Sequence, residues 1–206
     1  MKRNIFFLIG AAVVLDLLTV LVVNVPKQVF AQAPPAGDLV IYGQNVGDSL
    51  APNWTAFGTT GNIIVVETAQ FYRGTHSIRY QETAQYEMLQ LSSPTPINLA
   101  QYQYLIFYAK ATNPGQRYRV HLLGAPNPAV APEARQTVGT ALEFDLFGGI
   151  PSTTTWTAYS MPVPSFGAGT NQIFGIGIQE INGGAQPALY LDEISFSGAP
   201  APAVSL

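Results

Sequence analysis

Tyrosine, arginine, histidine and glutamine alternate with apolar residues in the segments 104–110, 117–123 and 173–181. Their polar or aromatic members are Tyr104, Tyr108, Arg117, Arg119, His121 and Gln179. Aromatic rings can cover the C–H faces of a sugar, while the polar side chains exchange hydrogen bonds with hydroxyl groups. If the three polar faces align, they form one surface suited to such a ligand. The alternative is an ordinary solvated sheet face, where Tyr and Arg pack well across strands.

Two further features bear on this surface. Gly175 and Gly177 carry no side chains, so the backbone there would let an extended ligand lie flat against the sheet. Trp54 follows a Pro-Asn pair, and two interpretations stay open for it. It is either a stacking platform on a loop or a plug for one end of the fold.

The elements that position these residues are predicted to be short strands. Only 10% of the residues are charged, whereas Gly, Pro, Tyr and Phe are plentiful, a composition typical of strands joined by turns. The candidate strands are 39–43, 62–69, 76–82, 86–92, 104–110, 117–123, 140–146, 155–161, 173–181 and 188–196. Their regular spacing, with turn residues between them, predicts one all-β, two-sheet β-sandwich over residues 39–197.

Two carboxylates raise the question of catalysis. Glu143 and Asp145 would point to the same face of a strand, roughly 7 Å apart, which is within the range of a glycosidase pair. Phe144 and Leu146 alternate with them, so the pair is better explained as the solvated side of an amphipathic strand. The chain has no serine elbow, phosphate loop or zinc-ligand histidine pair, and we predict that it is not an enzyme.

The N-terminal segment has the pattern of an export signal. Lys2 and Arg3 precede an apolar run, and small residues follow, so cleavage after Ala31 is expected. An uncleaved membrane anchor is the alternative, although Asp16 lies inside the apolar run. After the predicted signal, residues 1–31, comes a linker at 32–38, and a Pro/Ala-rich tail at 198–206 ends the chain.

Charge and cysteine content exclude some functions. Without residues 1–31 the chain carries six Lys and Arg against eleven Asp and Glu, a net charge of −5, which argues against nucleic acid and anionic lipid. There is no cysteine, so disulfides and thiolate metal sites are excluded. We therefore expect a secreted or cell-surface protein, of bacterial type, that relies on its hydrophobic core.

Asp192 presents an energetic problem. In the strand "YLDEISF", residues 190–196, alternation places Asp192 on the same face as the apolar Ile194 and Phe196. An unpaired carboxylate among buried side chains is costly, so a compensating partner is required.

The order of several motifs resembles that of a known family. "RGTHSIRY", "WTAYSMP" leading to "SFG", and the closing "YLDEISF" are similar to segments of the bacterial jelly-roll carbohydrate-binding modules. These modules belong to the galactose-binding-like superfamily, and the resemblance is nearest to family 11. It covers nearly the whole domain and implies a jelly-roll fold that binds a polysaccharide.

The same resemblance implies a structural Ca²⁺, held by Asp192 and by backbone carbonyls of the loop from Arg73 to Thr75. Calcium takes six to eight oxygen ligands, so the assignment is chemically reasonable. This chain departs from the family pattern, because Gly43 and Gln44 stand where the first strand usually supplies an acid. Asp48 is the nearest substitute. The alternative is that Asp192 accepts backbone N–H groups or pairs with Arg73.

Two functional hypotheses follow. The first is a secreted, non-catalytic carbohydrate-binding module that recognises a polysaccharide or cell-surface glycan. The second is a structural or adhesive cell-surface protein that uses the same fold for protein contacts and self-association. A membrane contact is expected only if residues 1–31 remain attached.

Overall fold

The computed structural model describes residues 37–58, 62–125, 136–169 and 172–202. The predicted export segment, residues 1–31, lies outside these ranges. Within them, no helix is long and apolar enough to cross a membrane.

The described residues form twelve strands and four single-turn 3-10 helices. The strands are β1 (Leu39–Gly43), β2 (Ser49–Leu50), β3 (Thr55–Gly58), β4 (Asn62–Glu67), β5 (Ser77–Gln81), β6 (Met88–Ile97), β7 (Tyr104–Ala111), β8 (Tyr118–Leu123), β9 (Thr137–Glu143), β10 (Thr157–Pro162), β11 (Ile173–Glu180) and β12 (Leu189–Ser197). The 3-10 helices are Gln44–Val46, Leu99–Gln101, Phe144–Leu146 and Val163–Phe166. All ten predicted strands are present, and the short β2 and β3 were not predicted.

The strands form two antiparallel sheets, as the sequence predicted. Sheet A has seven strands in the order β10-β7-β12-β1-β2, with β5 also paired to β12 and β4 paired to β5. Sheet B has five strands in the order β3-β6-β11-β8-β9. The consecutive strands β7 and β8 therefore belong to opposite sheets.

The core lies between the two sheets and is rich in aromatic rings. Leu105, Phe107 and Ala109 face it from β7, and Val120 and Leu122 face it from β8. These residues are the apolar members of the alternation read from the sequence, so that prediction is confirmed for both strands. The opposite side of each sheet is called its outer face below.

Strand β12 contains a β-bulge between Asp192 and Ser195. Leu191 faces the core before the bulge, whereas Ile194 and Phe196 face it afterwards. An extra residue in one strand reverses the alternation beyond it. Asp192 therefore lies on the outer face of sheet A, and the prediction that it shares a face with Ile194 and Phe196 is wrong.

Candidate functional site

Three polar side chains meet on the outer face of sheet B. Arg119 and Gln179 are cross-strand partners, and both Nε and Nη2 of Arg119 donate to Gln179 Oε1, at 2.9 and 2.6 Å. The ring of His121 lies beside them, with its Nε2 3.0 Å from the same oxygen. Gln179 Nε2 in turn donates to the carbonyl of Tyr86 at 2.8 Å. The strand pairing of β8 and β11 thus holds these side chains in a fixed arrangement.

Arg117 directly precedes β8 and forms two ion pairs. Its Nε donates to Asp145 Oδ2 at 2.7 Å, and its Nη2 donates to Glu143 Oε2 at 2.8 Å. The Arg117 side chain remains 44% exposed, so these contacts mainly fix the orientation of the guanidinium. Glu143 is also the cross-strand partner of Arg119, which places both arginines on one surface. We call Arg117, Arg119, His121, Glu143 and Gln179, with Asp145 and Tyr86, the polar face.

The polar face has balanced charges. Arg117 and Arg119 are positive, and Glu143 and Asp145 are negative. Burial lowers the pKa of His121, the contact with Gln179 offsets part of this, and the nearby charge of Arg119 lowers it further, which disfavours a third positive charge on the face. A surface with this balance offers hydrogen bonds without a strong preference for an ionic ligand.

Gly175 and Gly177 do not leave bare backbone on this face, contrary to the prediction. Both residues are buried. A Cβ at Gly177 would overlap the side chain of Met88, and a Cβ at Gly175 would overlap the carbonyl of Leu91 on β6. Gly175 is therefore required for the close approach of the β6 backbone, whereas at Gly177 the side chain of Met88 covers the strand.

Tyr104 and Tyr108 do not belong to the polar face. Both are on β7 in sheet A, whereas Arg117, Arg119 and His121 belong to or adjoin β8 in sheet B. Tyr108 is only 2% exposed, because the ring of Tyr72 stacks on it with centroids 3.9 Å apart. The prediction that the tyrosines and arginines share one surface is wrong. Alternation indicates which side of a strand is buried, but it does not indicate which sheet the strand joins.

The two tryptophans are also placed differently from the predicted stacking platform. Trp54 is 9% exposed and packs in the core cluster, so the plug interpretation is the one that fits. Trp156 is half-buried, and its ring lies 6.1 Å from that of Tyr72. The exposed aromatic residue beside Gln179 is Tyr86, at 52%. The predicted strand 86–92 left two interpretations of Tyr86 open, the border of the binding surface or a solvent-facing strand position, and in the structure it lies in the turn before β6.

Asp192 is compensated by the loop between β4 and β5, which covers the outer face of sheet A. Its Oδ2 accepts the N–H groups of Tyr72 and Arg73 at 2.7 and 3.1 Å, and its Oδ1 accepts the N–H of Glu193 at 2.8 Å. Burial raises the pKa of Asp192 to about 6, and the three N–H groups offset only part of this rise. This arrangement is the N–H alternative left open by the sequence.

The carboxylates named for calcium accept hydrogen bonds from the covering loop in this structure, and calcium binding stays a prediction. Thr75 donates its N–H and its hydroxyl to Asp48 Oδ2, at 2.7 and 2.9 Å, and so acts as a donor at this carboxylate. Among the described residues, Asp48 Oδ1 is buried without a hydrogen-bond partner. In the described part of the chain, no group of three or more His, Cys, Asp or Glu residues is placed to hold a metal ion.

Comparison with known proteins identifies the fold. No protein-family model matches the chain, and no curated protein matches it. Among solved structures, a family 30 carbohydrate-binding module aligns with a TM-score of 0.57 at 14% identity, over 80% of this chain and 100% of that one. A family 11 module from Clostridium thermocellum, in complex with a β-1,3-1,4-mixed-linked tetrasaccharide, gives 0.54 at 12% identity, over 82% and 100%.

A mutant family 29 module complexed with mannohexaose aligns with a TM-score of 0.51 at 12% identity, over 80% of this chain and 93% of that one. At these identities the likeness concerns the fold. The chain therefore has the jelly-roll β-sandwich fold that is seen in carbohydrate-binding modules of families 11, 29 and 30.

Proposed function

We propose that this domain is a non-catalytic module that binds a polysaccharide through the polar face of sheet B. The observation that carries the proposal is the contact of Arg119 and His121 with Gln179, which also donates a hydrogen bond to the backbone carbonyl of the exposed residue Tyr86. The fold supports it, because the similar structures are carbohydrate-binding modules. The proposal includes export of the domain, which rests only on the sequence of residues 1–31.

Hydroxyl recognition in this proposal uses groups that are already held in place. The contact with Gln179 uses the Nε–H and one Nη2–H of the five N–H donors of Arg119. The guanidinium is therefore oriented before a ligand arrives, which reduces the entropy lost on binding. Tyr86 supplies an exposed ring against which the C–H face of a sugar can stack. The balanced charges of the face favour an uncharged glycan.

Catalysis does not fit the arrangement of the two carboxylates. Glu143 and Asp145 both form ion pairs with the guanidinium of Arg117. Glycoside hydrolysis requires one carboxyl group as a proton donor and the other as a base or nucleophile. Two carboxylates that share one arginine instead fix the shape of the face, so the proposed role is binding alone.

Replacement of Arg119 by alanine tests the site. We expect Arg119→Ala to weaken retention in affinity electrophoresis by about tenfold or more, on every soluble glucan, mannan or xylan that the wild type binds. Each lost charge-assisted hydrogen bond accounts for a loss of this order. The variant should unfold at nearly the wild-type temperature, because the side chain lies on the outer face.

The matched control is Arg79→Ala, which removes an arginine from β5 in sheet A, opposite Tyr190. This variant is expected to retain glycan binding. Equal retention by wild type and Arg119→Ala, or equal weakening by both variants, would contradict the proposed site.

Calcium is tested separately from the glycan. Because Asp192 and Asp48 already accept hydrogen bonds from the covering loop, we expect the melting temperature in excess Ca²⁺ to match that in EDTA within about 1 °C. Differential scanning calorimetry of the domain gives the comparison directly. A melting temperature that is higher in Ca²⁺ than in EDTA for the wild type, but not for Asp48→Asn, would show instead that the domain binds the calcium implied by the family resemblance.

A further inference from the structure

Three glutamates are buried together between the sheets at one end of the domain. Glu82 directly follows β5 of sheet A, Glu87 directly precedes β6 of sheet B, and Glu180 ends β11 of sheet B. Their exposed fractions are 2%, 4% and 0%. Glutamate is almost never fully buried without a partner, so this cluster requires an explanation.

Strand alternation directs these side chains inward. In β5, Ile78 and Tyr80 face the core, and Glu82 is the next residue of the same parity. In β11, Ile178 faces the core, and Glu180 is again the next residue of that parity. Glu180 is also the cross-strand partner of the buried Tyr118. The cluster is therefore part of the interior of the sandwich, with members from both sheets.

The three carboxyl groups differ in their hydrogen bonds. Glu87 Oε2 accepts the N–H of Thr83 at 2.7 Å, and Glu180 Oε1 accepts the N–H of Gly183 at 2.8 Å. In contrast, both side-chain oxygens of Glu82 are buried without a hydrogen-bond partner among the residues that the structure describes. The same holds for Glu180 Oε2 and for the hydroxyl of Tyr80. Bonds from N–H groups favour an ionised carboxylate, so Glu82 is the member least suited to carry a charge.

In the described part of the chain, the ionisable groups that interact electrostatically with Glu82 are all acidic or phenolic. They are Glu180 on β11, Glu87 before β6, Tyr80 on β5 and Tyr118 on β8. Burial and then the charges of Glu180 and Glu87 raise the pKa of Glu82 to about 9, although the nearby N–H of Glu180 offsets part of the rise. Burial also raises the pKa of Glu180.

We propose that the Glu82 carboxyl group stays protonated at neutral pH and joins the two sheets by donating a hydrogen bond to Glu180 Oε2. This bond would satisfy two of the buried oxygens that have no other partner in the described ranges. Loss of the proton at alkaline pH leaves adjacent unpaired charges between the sheets and loosens this end of the domain. We call the cluster of Glu82, Glu87 and Glu180 the latch, because it holds the two sheets together only while Glu82 is protonated.

The latch adjoins the polar face. Glu180 follows Gln179 in β11, and Glu87 follows Tyr86, so inward and outward side chains alternate on the same backbone. The backbone carbonyl of Glu82 also accepts the N–H of Gln186, which ties in the loop before β12. Opening of the latch would therefore loosen the segments that position Gln179 and Tyr86.

The sign of the pH effect follows from proton linkage. The folded state binds the Glu82 proton more tightly than the unfolded state, in which the ordinary value of 4.5 applies. The stabilisation by the protonated Glu82 is present in full below pH 4.5 and is lost as pH rises through the folded-state pKa of about 9. Within this window the folding equilibrium constant falls by about tenfold per pH unit for one proton.

The test compares wild type with Glu82→Gln in urea unfolding at pH 6, 7.5 and 9. Glutamine keeps the shape and a hydrogen-bond donor but has no proton to lose. We expect the ratio of the variant's folding constant to that of wild type to rise steeply with pH, by up to about tenfold per unit. Glu67→Gln is the matched control, since Glu67 bonds only the nearby exposed N–H of Ala69 in the described contacts. The ratio of the Glu67→Gln folding constant to that of wild type should stay the same at all three pH values.

Parallel pH curves for wild type and Glu82→Gln would overturn the proposal. So would stabilisation of wild type by Ca²⁺ at pH 9 that Glu82→Gln removes, because the cluster would then hold a cation.

A second measurement does not depend on the folding of the variant. Infrared spectra of the folded wild type should show a protonated-carboxyl C=O band at pH 7 that disappears above pH 10. Absence of that band at pH 7 would equally overturn the proposal.

Discussion

Asp192→Ala is expected to lower the free energy of unfolding by about 3–5 kcal/mol at pH 7. The carboxylate accepts N–H groups of Tyr72, Arg73 and Glu193, and all three donors lose their partner in the variant. Asp192 has no exposed surface, so water does not replace the carboxylate without opening the loop that covers it. Urea unfolding followed by tryptophan fluorescence measures the change, because Trp156 lies beside Tyr72 in this region.

The control for this variant is Asp38→Ala, which removes an exposed carboxylate just before β1. It should change the free energy of unfolding by less than about 0.5 kcal/mol. A similarly small effect of Asp192→Ala would show that the covering loop does not depend on this carboxylate.

The effect of Asp192→Ala should also depend on pH. The pKa of Asp192 is raised from 3.8 to about 6, so the folded state holds its proton more tightly than the unfolded state. The contribution of the side chain is therefore fully present below 3.8 and declines as pH rises through 6. The alanine variant is expected to lose more stability at pH 4 than at pH 7.

Phe144→Ala is expected to destabilise the domain by about 3–5 kcal/mol. The ring is fully buried and lies 5.0 Å from Phe107, 4.7 Å from Tyr159 and 5.6 Å from Tyr118, measured between centroids. These neighbours come from both sheets, so truncation leaves a cavity that cannot collapse without moving one sheet toward the other. Equilibrium denaturation gives the loss, and the dependence on denaturant should remain that of a two-state transition.

Leu146→Ala is the matched control, because Leu146 is two residues away and 73% exposed. Its effect should remain within about 0.5 kcal/mol. If Leu146→Ala cost as much as Phe144→Ala, the two side chains would share the buried face of a continuous strand, as the sequence alone suggested.

Local alternation predicted much of the fold correctly. The side chains of β7 and β8 divide into core and outer residues as their pattern indicates, with Phe107 and Val120 buried. Successive side chains of a strand point to opposite faces, and the removal of apolar groups from water determines which face turns inward. Both properties belong to the segment itself, so they can be read without knowledge of its neighbours.

The composition of the polar face could not be read in the same way. The pattern of β7 is as clear as that of β8, yet β7 pairs with β10 and β12 in sheet A, while β8 pairs with β9 and β11 in sheet B. This difference separated Tyr108 from Arg119. Which strand lies beside which is decided by packing between segments far apart in sequence, and no single segment carries that information.

The sequence by itself determined the class of the protein: short alternating strands, an all-β sandwich and the order of motifs that resembles carbohydrate-binding modules. Only the tertiary structure decided where alternation stops, at the bulge after Asp192 and at the 3-10 turn that buries Phe144 and exposes Leu146. The physical reason is that alternation holds only while the backbone stays regular. Such departures are stabilised by distant partners, here the loop before β5 and the aromatic core, which the local sequence does not contain.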